Sequence, residues 1–477
     1  MKHNFALPPT VKHLLTAEPD GREVELCAWV RSRRDSKNIS FLNVNDGSCV
    51  SGIQVVIDEN VCEAMSEATF SDIDNGASLR LCGTLVASQG AGQAVEILAS
   101  HLELLGPARD YPLQKKRHSF EFLREISHLR SRSNSIGAVM RVRNKLSMLV
   151  HEFFQQHGFY YVHTPIITVS DAEGAGELFQ VESLAYGNGE NDGAAKPGSE
   201  GPRKKRPHFF GQKAYLTVSG QLEGEAYAHS HGRIYTFGPT FRAEESNTAR
   251  HLAEFWMIEP EMAFLELDGL MELAEAFIRF LIEGILQSCS DELDLLNRWI
   301  EPELLSSLNS VIQSERFTRI SYTEAIKLLQ GAVAAGKKFR YPVAWEDGLQ
   351  TEHERWLTEE HYRQPVIVYD YPAAGKAFYM KQNADGKTVR GMDVLVPRLG
   401  EIIGGSQRED DYEKLYRRIL ADGLDSESLG WYLDLRRFGG APHSGFGLGF
   451  ERMLQYVTGM KNIRDVIPFP RSIGQAF

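Results

Sequence analysis

The chain has 477 residues, of which 42% are hydrophobic, 10% aromatic and 24% charged, the proportions of an ordinary globular protein. At roughly 100–200 residues per domain the length predicts two to four domains, and no apolar run approaches the ~20 residues needed to span a bilayer. Lys and Arg total 52 against 64 Asp and Glu, a formal net charge of −12, which opposes indiscriminate coating of nucleic acid while leaving room for a local basic face.

The N-terminal segment MKHNFALPPT has no apolar core of signal-peptide type. Five cysteines, Cys27, Cys49, Cys62, Cys82 and Cys289, are dispersed with no CxxC pair. They read as free core thiols of a soluble cytoplasmic protein. From Glu23 to about Leu105 the sequence alternates as half-buried strands do: in EVELCAWV, Val24, Leu26, Ala28 and Val30 share one face. Further strand runs follow at ISFLNV, GIQVVI, SLRLCGTLVAS and AVEILASHLEL, with a helical stretch from about Glu59 to Phe70 after the third strand. Five strands with that helix predict an OB β-barrel. The barrel concentrates a basic and aromatic set, in which Trp29, Arg31, Arg33, Arg34 and Lys37 run into Phe41, with Gln54 on the next strand. Cations for phosphates beside flat rings for bases suit single-stranded nucleic acid.

Residues 106–133 are polar and broken, a hinge rich in cations. Ile136, Val139, Met140, Leu146, Leu149, Val150 and Phe153 then recur at helical spacing up to Gly158, a C-cap. FYYVHTPIIT is extended, and residues 185–212 form a Gly/Asn/Pro-rich loop insert carrying PRKKRP. Tyr215–Val218, Arg233–Phe237 and Glu254–Met262 read as strands of an antiparallel sheet, and about 265–364 as a helix-rich inserted region. The fold class is α+β: an OB domain over 1–105, the hinge, and one large domain over 134–477. No GxxxxGK[ST] loop or strand-linked GxGxxG is present, so neither common phosphate cradle is available.

Chemistry concentrates in three segments. In FGPTFRAEESNTARHLAEFWMIEPE, Arg242 and Glu244 alternate on a strand, and a polar loop returns through Arg250, His251 and Phe255. This set can hold ATP: Arg242 on the α-phosphate, Glu244 on the adenine amino group, Phe255 stacked on the ring. In PHSGFGLGFERMLQYVTG, Gly-rich backbone precedes a helix opened by Arg452. In the third, Asp393 and Glu401 lie just upstream of IIGGSQRE as oxygen ligands for magnesium.

These segments resemble the signature motifs of class II aminoacyl-tRNA synthetases of the aspartyl/asparaginyl/lysyl branch. TVSGQLEGEAYA, GEIIGGSQRE and RRFGGAPHSGFGLGFERM are similar to those of bacterial-type asparaginyl-tRNA synthetases. The resemblance runs nearly end to end and is weakest in the insert. It implies a homodimer built on the helix before Gly158 through Pro165, an anticodon-binding OB domain, and a catalytic antiparallel sheet flanked by helices. It places His251 toward the outer phosphates, Arg452 on the γ-phosphate and the other adenine face, and Mg2+ on Asp393 and Glu401. Ser219, Gln221 and Glu173 would fix the amino end of L-asparagine, and Arg437 its side-chain oxygen. Phe41 would stack on an anticodon base of asparagine tRNA, with Arg34 and Gln54 at its edge.

The aspartyl enzymes carry a lysine where this chain has Gly224, and Glu225 follows. A carboxylate there accepts from the amide NH2 and repels aspartate; the alternative is that Glu225 only orients Arg437. Glu245 and Ala249 depart from the family's usual loop sequence RAENSNTSRHL. Three other readings stand beside this one: an aspartyl-tRNA synthetase, a tRNA-independent amide synthetase on the same catalytic fold, and a synthetase-like tRNA-binding protein without catalysis.

Overall fold

A computed structural model describes residues 7–63, 66–90, 92–169, 178–183, 208–246 and 248–476. The chain forms two compact units. One comprises the residues up to Val142 with Cys289–Arg298, the other Arg143–Ser288 with Trp299–Phe477.

The first unit is a closed five-stranded barrel, β1 (Glu23–Asp35), β2 (Ile39–Asn45), β3 (Ile53–Asp58), β4 (Ser78–Ala87) and β5 (Val95–Gly106), in the order β1-β2-β3-β5-β4. The period-two pattern is realised as expected: Val24, Leu26, Ala28 and Val30 are buried against Leu42, Val55, Leu79 and Ile97. β3 and β5 pair in parallel, and β1 closes on β4 antiparallel. The helical stretch after β3 is two short helices, Glu59–Glu63 and Glu67–Ser71. This is the OB fold. Residues 106–133 are more ordered than their polarity suggests. Ser119 caps a helix Phe120–Glu125, and Leu113, Leu123 and Ile136 make a small core of their own. Among the described cysteines Cys49 and Cys289 are buried, but Cys27 is exposed on β1 and is no core thiol.

Helix Asn134–Gln156 buries Ile136, Val139, Leu146, Leu149, Val150 and Phe153. It ends at Gly158, whose φ of +74° a Cβ would oppose. The second unit is built on an eight-stranded sheet of β6 (Tyr160–Tyr161), β10 (Arg233–Phe241), β11 (Glu254–Ala263), β12 (Thr318–Ser321), β13 (Val366–Pro372), β14 (Thr388–Val396), β15 (Gly400–Gln407) and β16 (His443–Gly449). Their order is β12-β13-β14-β15-β16-β11-β10-β6, with only the β12–β13 and β10–β6 pairs parallel. A small sheet holds β7 (Ile167–Thr168), β8 (Gln180–Val181) and β9 (Ala214–Leu216). Residues 265–364 hold helices Leu267–Ser288, Ser290–Trp299, Leu304–Gln313, Tyr322–Ala334 and Thr351–Arg355, an irregular stretch over 335–350, and Thr318–Ser321, which adds an edge strand to the sheet. The longest of these helices, Leu267–Ser288, lays Leu270, Ala274, Phe277, Ile278 and Leu281 in the core.

Candidate active site

A cavity of about 350 Å³ opens over β11, β15 and β16, within the size range of small-molecule sites. Its floor depends on missing side chains. Gly404 pairs with Gly447 and Gly405 with Phe446; a Cβ on Gly405 would lie 2.7 Å from that of Phe446. Across this floor β11 presents every second residue: Phe255, Met257, Glu259 and Glu261 all line the cavity. At ~3.4 Å per residue they span ~20 Å, an aromatic at one end and carboxylates at the other.

The aromatic end gathers the cations expected there. The ladder of β10 stops at Phe241, so Arg242 and Glu244 belong to the loop rather than the strand. Arg242 N–H still donates to the Ala253 carbonyl, and its guanidinium lies 5.4 Å from the Phe255 ring. Glu244 stands 3.3 Å from His251, which also meets Ser246 and Thr248. Arg452 follows Glu451, a buried carboxylate that accepts from Trp256 N–H at 2.9 Å and pairs with Arg143 at 2.8 Å. Those bonds fix the start of helix Phe450–Thr458 and aim Arg452 at Glu401, 3.8 Å away. Asp393 and Glu401 converge over Gly404: a Cβ there would lie 3.3 Å from Glu401 Oε1 and 3.5 Å from Asp393 Oδ1. Burial, then the charge of Glu401, pushes Asp393 up to about 6.

At the acidic end, Glu259 is held by Ser219 Oγ, by Gly220 N–H at 2.9 Å and by Thr236 Oγ1 at 3.1 Å. Gly220 has no room for a side chain, since a Cβ would lie 2.4 Å from Thr164 Oγ1. Glu261 pairs with Arg408, whose Nη1 also donates to Ser406 Oγ at 2.9 Å. Burial opposes ionisation of Glu261, and the guanidinium of Arg408 beside it favours the charged form. Arg408 is held above its ordinary value because Glu261 and Glu225 outweigh its burial.

Two expected residues are elsewhere. Arg437 is exposed, lies over the Phe438 ring and does not line the cavity. Its neighbour Arg436 is the one that turns inward, because adjacent helical residues point ~100° apart. Glu225 is fully buried behind the cavity wall, where it accepts from Gln221 Nε2 (3.0 Å), Tyr432 OH (2.8 Å) and Arg436 Nη2 (2.8 Å). His443 Nε2 lies 2.9 Å from it. Burial would raise Glu225, but Arg436 and His443 outweigh it and hold it below the usual carboxylate range. Both oxygens are engaged, so Glu225 contacts no ligand in the cavity, and it orients Gln221 and Arg408 (3.8 Å) rather than Arg437. Ser219 and Gln221 do line the cavity; Glu173 lies outside the described residues. Arg408, Glu259 and Glu261 were not singled out from sequence. The available signal was two carboxylates alternating on one strand, with a cation directly after the end of another.

On the barrel, Arg34 is exposed and stacks 4.8 Å over Phe41. Gln54 donates to Glu96 at 2.9 Å. Arg31 donates to the Arg132 carbonyl, and Arg33 to the carbonyls of Phe70 and Ile73. Arg132 in turn lies 5.5 Å from the Trp29 ring.

The family model for tRNA synthetases class II (D, K and N) matches residues 119–473, and that for the OB-fold nucleic acid binding domain matches residues 24–105. The chain is 54% identical over 471 residues to the asparagine–tRNA ligase of Solibacter usitatus, covering 98% of each. It is 52% identical over 465 residues to that of Parabacteroides distasonis, covering 97% of each. The crystal structure of asparaginyl-tRNA synthetase from Pyrococcus horikoshii complexed with asparaginyl-adenylate superposes with a TM-score of 0.84. It has 33% identity and covers 98% of this chain and 99% of that one. The chain is an aminoacyl-tRNA synthetase, belonging to the class II D, K and N family and, within it, to the asparagine–tRNA ligases.

Proposed function

We propose that the cavity joins L-asparagine to ATP as asparaginyl-adenylate and passes the acyl group to the 3′ end of asparagine tRNA. The observation that carries this reading is the ordering along β11: an adenine-sized aromatic end beside Arg242, and a side-chain-reading end where Glu261 and Arg408 form a buried pair. The related Pyrococcus horikoshii structure, with asparaginyl-adenylate bound, supports it.

The asparagine carboxylate attacks the α-phosphorus, a phosphorus–oxygen bond forms, and the bond to the bridging oxygen breaks as pyrophosphate leaves. Arg242 stabilises charge growing on the α-phosphate and Arg452 binds the outer phosphates with His251; Phe255 and Glu244 orient adenine. The tRNA ribose hydroxyl then attacks the acyl carbon and AMP departs. Both steps rest on positioning and charge, and no covalent enzyme intermediate enters. Asp393 and Glu401 fit a magnesium ion: the two carboxylates converge, and burial and the charge of Glu401 push Asp393 up although Arg452 stands near. Two carboxylates are the protein share expected when phosphates complete the shell. When bound, the ion would neutralise phosphate charge.

Selection of asparagine over aspartate follows from charge inventory. Arg408 is already paired with Glu261, and Glu259 stands beside it. An amide offers its oxygen to Arg408 and its NH2 to a carboxylate, whereas aspartate adds another buried anion at a cost of several kcal/mol. Ser219 and Gln221 receive the amino end. Phe41, with Arg34 and Gln54, meets an anticodon base. A dimer is supported by Met148, Tyr160 and Tyr227, all more than half exposed. No helix among the described residues is long and apolar enough to cross a membrane; we place the enzyme in the cytoplasm, with no membrane partner. Aminoacylation of purified asparagine and aspartate tRNAs with both amino acids tests the reading. Asparagine on asparagine tRNA alone is expected, and aspartate charged at a comparable rate would refute it.

A further inference from the structure

The turn that joins β14 to β15 fixes the spacing of Asp393 and Glu401, and it is gripped from outside by residues 351–359. Helix Thr351–Arg355 and the π-helical turn Trp356–His361 belong to the inserted region; π turns of this kind recur at functional sites. Thr351 Oγ1 accepts from Arg250 of the cavity loop at 3.1 Å. One turn later Glu354 Oε2 accepts from the backbone N–H of Glu401 at 3.2 Å. Glu359 then accepts from the N–H of Arg398 at 2.7 Å, a residue held at a φ of +69°. The approach of Glu354 is possible only because residue 400 is glycine: a Cβ there would lie 2.3 Å from Glu354 Oε2. The β14–β15 ladder also shifts register between Val394 and Leu395, the residue that pairs with Glu401, and such shifts re-aim side chains beside active sites. The other backbone group of Glu401, its carbonyl, accepts from Arg452 at 3.3 Å.

We propose that Glu354 is a positioning residue for adenylate formation: by accepting from Glu401 N–H it holds the Asp393–Glu401 pair in the geometry that receives a divalent cation with ATP. The inference rests on the assignment of that pair to magnesium. It gives the inserted region a part in catalysis without placing any of its residues on substrate.

The test compares Glu354→Ala, Glu354→Asp and Glu354→Gln in the full-length enzyme. Magnesium dependence of ATP–pyrophosphate exchange is one readout. Mn2+ binding in the presence of a non-hydrolysable ATP analogue, followed by the free-Mn2+ electron paramagnetic resonance signal, is the other. Alanine removes the acceptor and aspartate withdraws it by one methylene, so both raise half-saturating Mg2+ and weaken Mn2+ binding about tenfold, the low end for residues that orient metal ligands. Glutamine still offers an oxygen to Glu401 N–H and restores most of the loss, while asparagine binding stays at the wild-type level in all three. Wild-type Mn2+ affinity in the alanine and aspartate variants overturns the proposal, and so does equal damage by glutamine. Asp393→Asn and Glu401→Gln separate the two levels. If they too leave Mn2+ binding intact, the magnesium assignment is wrong; if they abolish it while the Glu354 variants do not, only the positioning role is.

Discussion

Glu225→Gln removes one charge from a carboxylate that touches no ligand, and it should damage both stability and asparagine use. The carboxylate accepts from Gln221, Tyr432 and Arg436 and lies against His443. An amide has a single oxygen, so its NH2 must face the Gln221 side or the Arg436 side, and each presents a donor. Arg436 loses its counter-ion while fully enclosed. Breaking a buried pair costs ~3–5 kcal/mol, and the lower end applies because Arg436 keeps its bond to the Glu409 carbonyl at 2.9 Å. For a unit of this size ~3 kcal/mol lowers Tm by roughly 4–5 °C. Gln221 is also freed to turn its NH2 into the cavity, which substitutes a donor for an acceptor facing the substrate ammonium. The loss of one hydrogen bond to a charged group, ~1.5–3 kcal/mol, predicts kcat/KM for asparagine reduced about 10- to 100-fold. Pyrophosphate exchange and thermal unfolding measure the two effects. Because Glu225 is held below its unfolded value of about 4.3, its stabilisation is complete above that pH and is lost as pH falls through the lower folded value. The Tm gap between wild type and variant therefore narrows in acid. A kcat/KM within about threefold of wild type and a Tm within about 2 °C would refute the reasoning.

Three further changes check other parts of the site. In Gly445→Ala the new Cβ would lie 2.1 Å from Glu261 Oε1, so Glu261 must leave Arg408; asparagine kcat/KM should drop at least about tenfold in pyrophosphate exchange, with a stability loss from overpacking of ~1–3 kcal/mol. Arg437→Ala, at an exposed position off the cavity, should leave exchange within about twofold of wild type. Phe41→Ala should raise KM for tRNA about tenfold, the low end of ~1–3 kcal/mol for one stacked base, with exchange unaltered; equal loss in both assays would deny the barrel a separate recognition role.

The barrel was legible because alternation over β1 is a local signal that survives any tertiary arrangement, and the long helix because its apolar spacing ends at a glycine. The clustering of Arg242, Glu244, His251 and Phe255 at one end of the cavity was legible too, since they fall within one loop and its flanks. What the sequence hid depends on pairing between distant strands. Arg408 faces the cavity because β15 lies on β16, and it has a partner because β11 lies on the far side of β16. The choice between Arg436 and Arg437 is a matter of helix rotation, set by Glu225 more than 200 residues away. The small core within the hinge, residues 106–133, was hidden because its few apolar side chains are too widely spaced for either period.

The fate of the barrel's basic strand bears on how the enzyme lets go of its product. Arg31 and Arg33 are spent on backbone carbonyls, and Arg34 lies over a ring. Of the cations named on this face, Arg34 and Lys37 stay exposed to meet phosphates, and each phosphate neutralised on a single strand steepens the dependence of log K on log salt by only about 0.7. Binding through the barrel should therefore release few counter-ions and respond weakly to ionic strength, with selectivity carried by stacking. An enzyme that must discharge every tRNA it charges gains turnover from a grip that is specific without being strong.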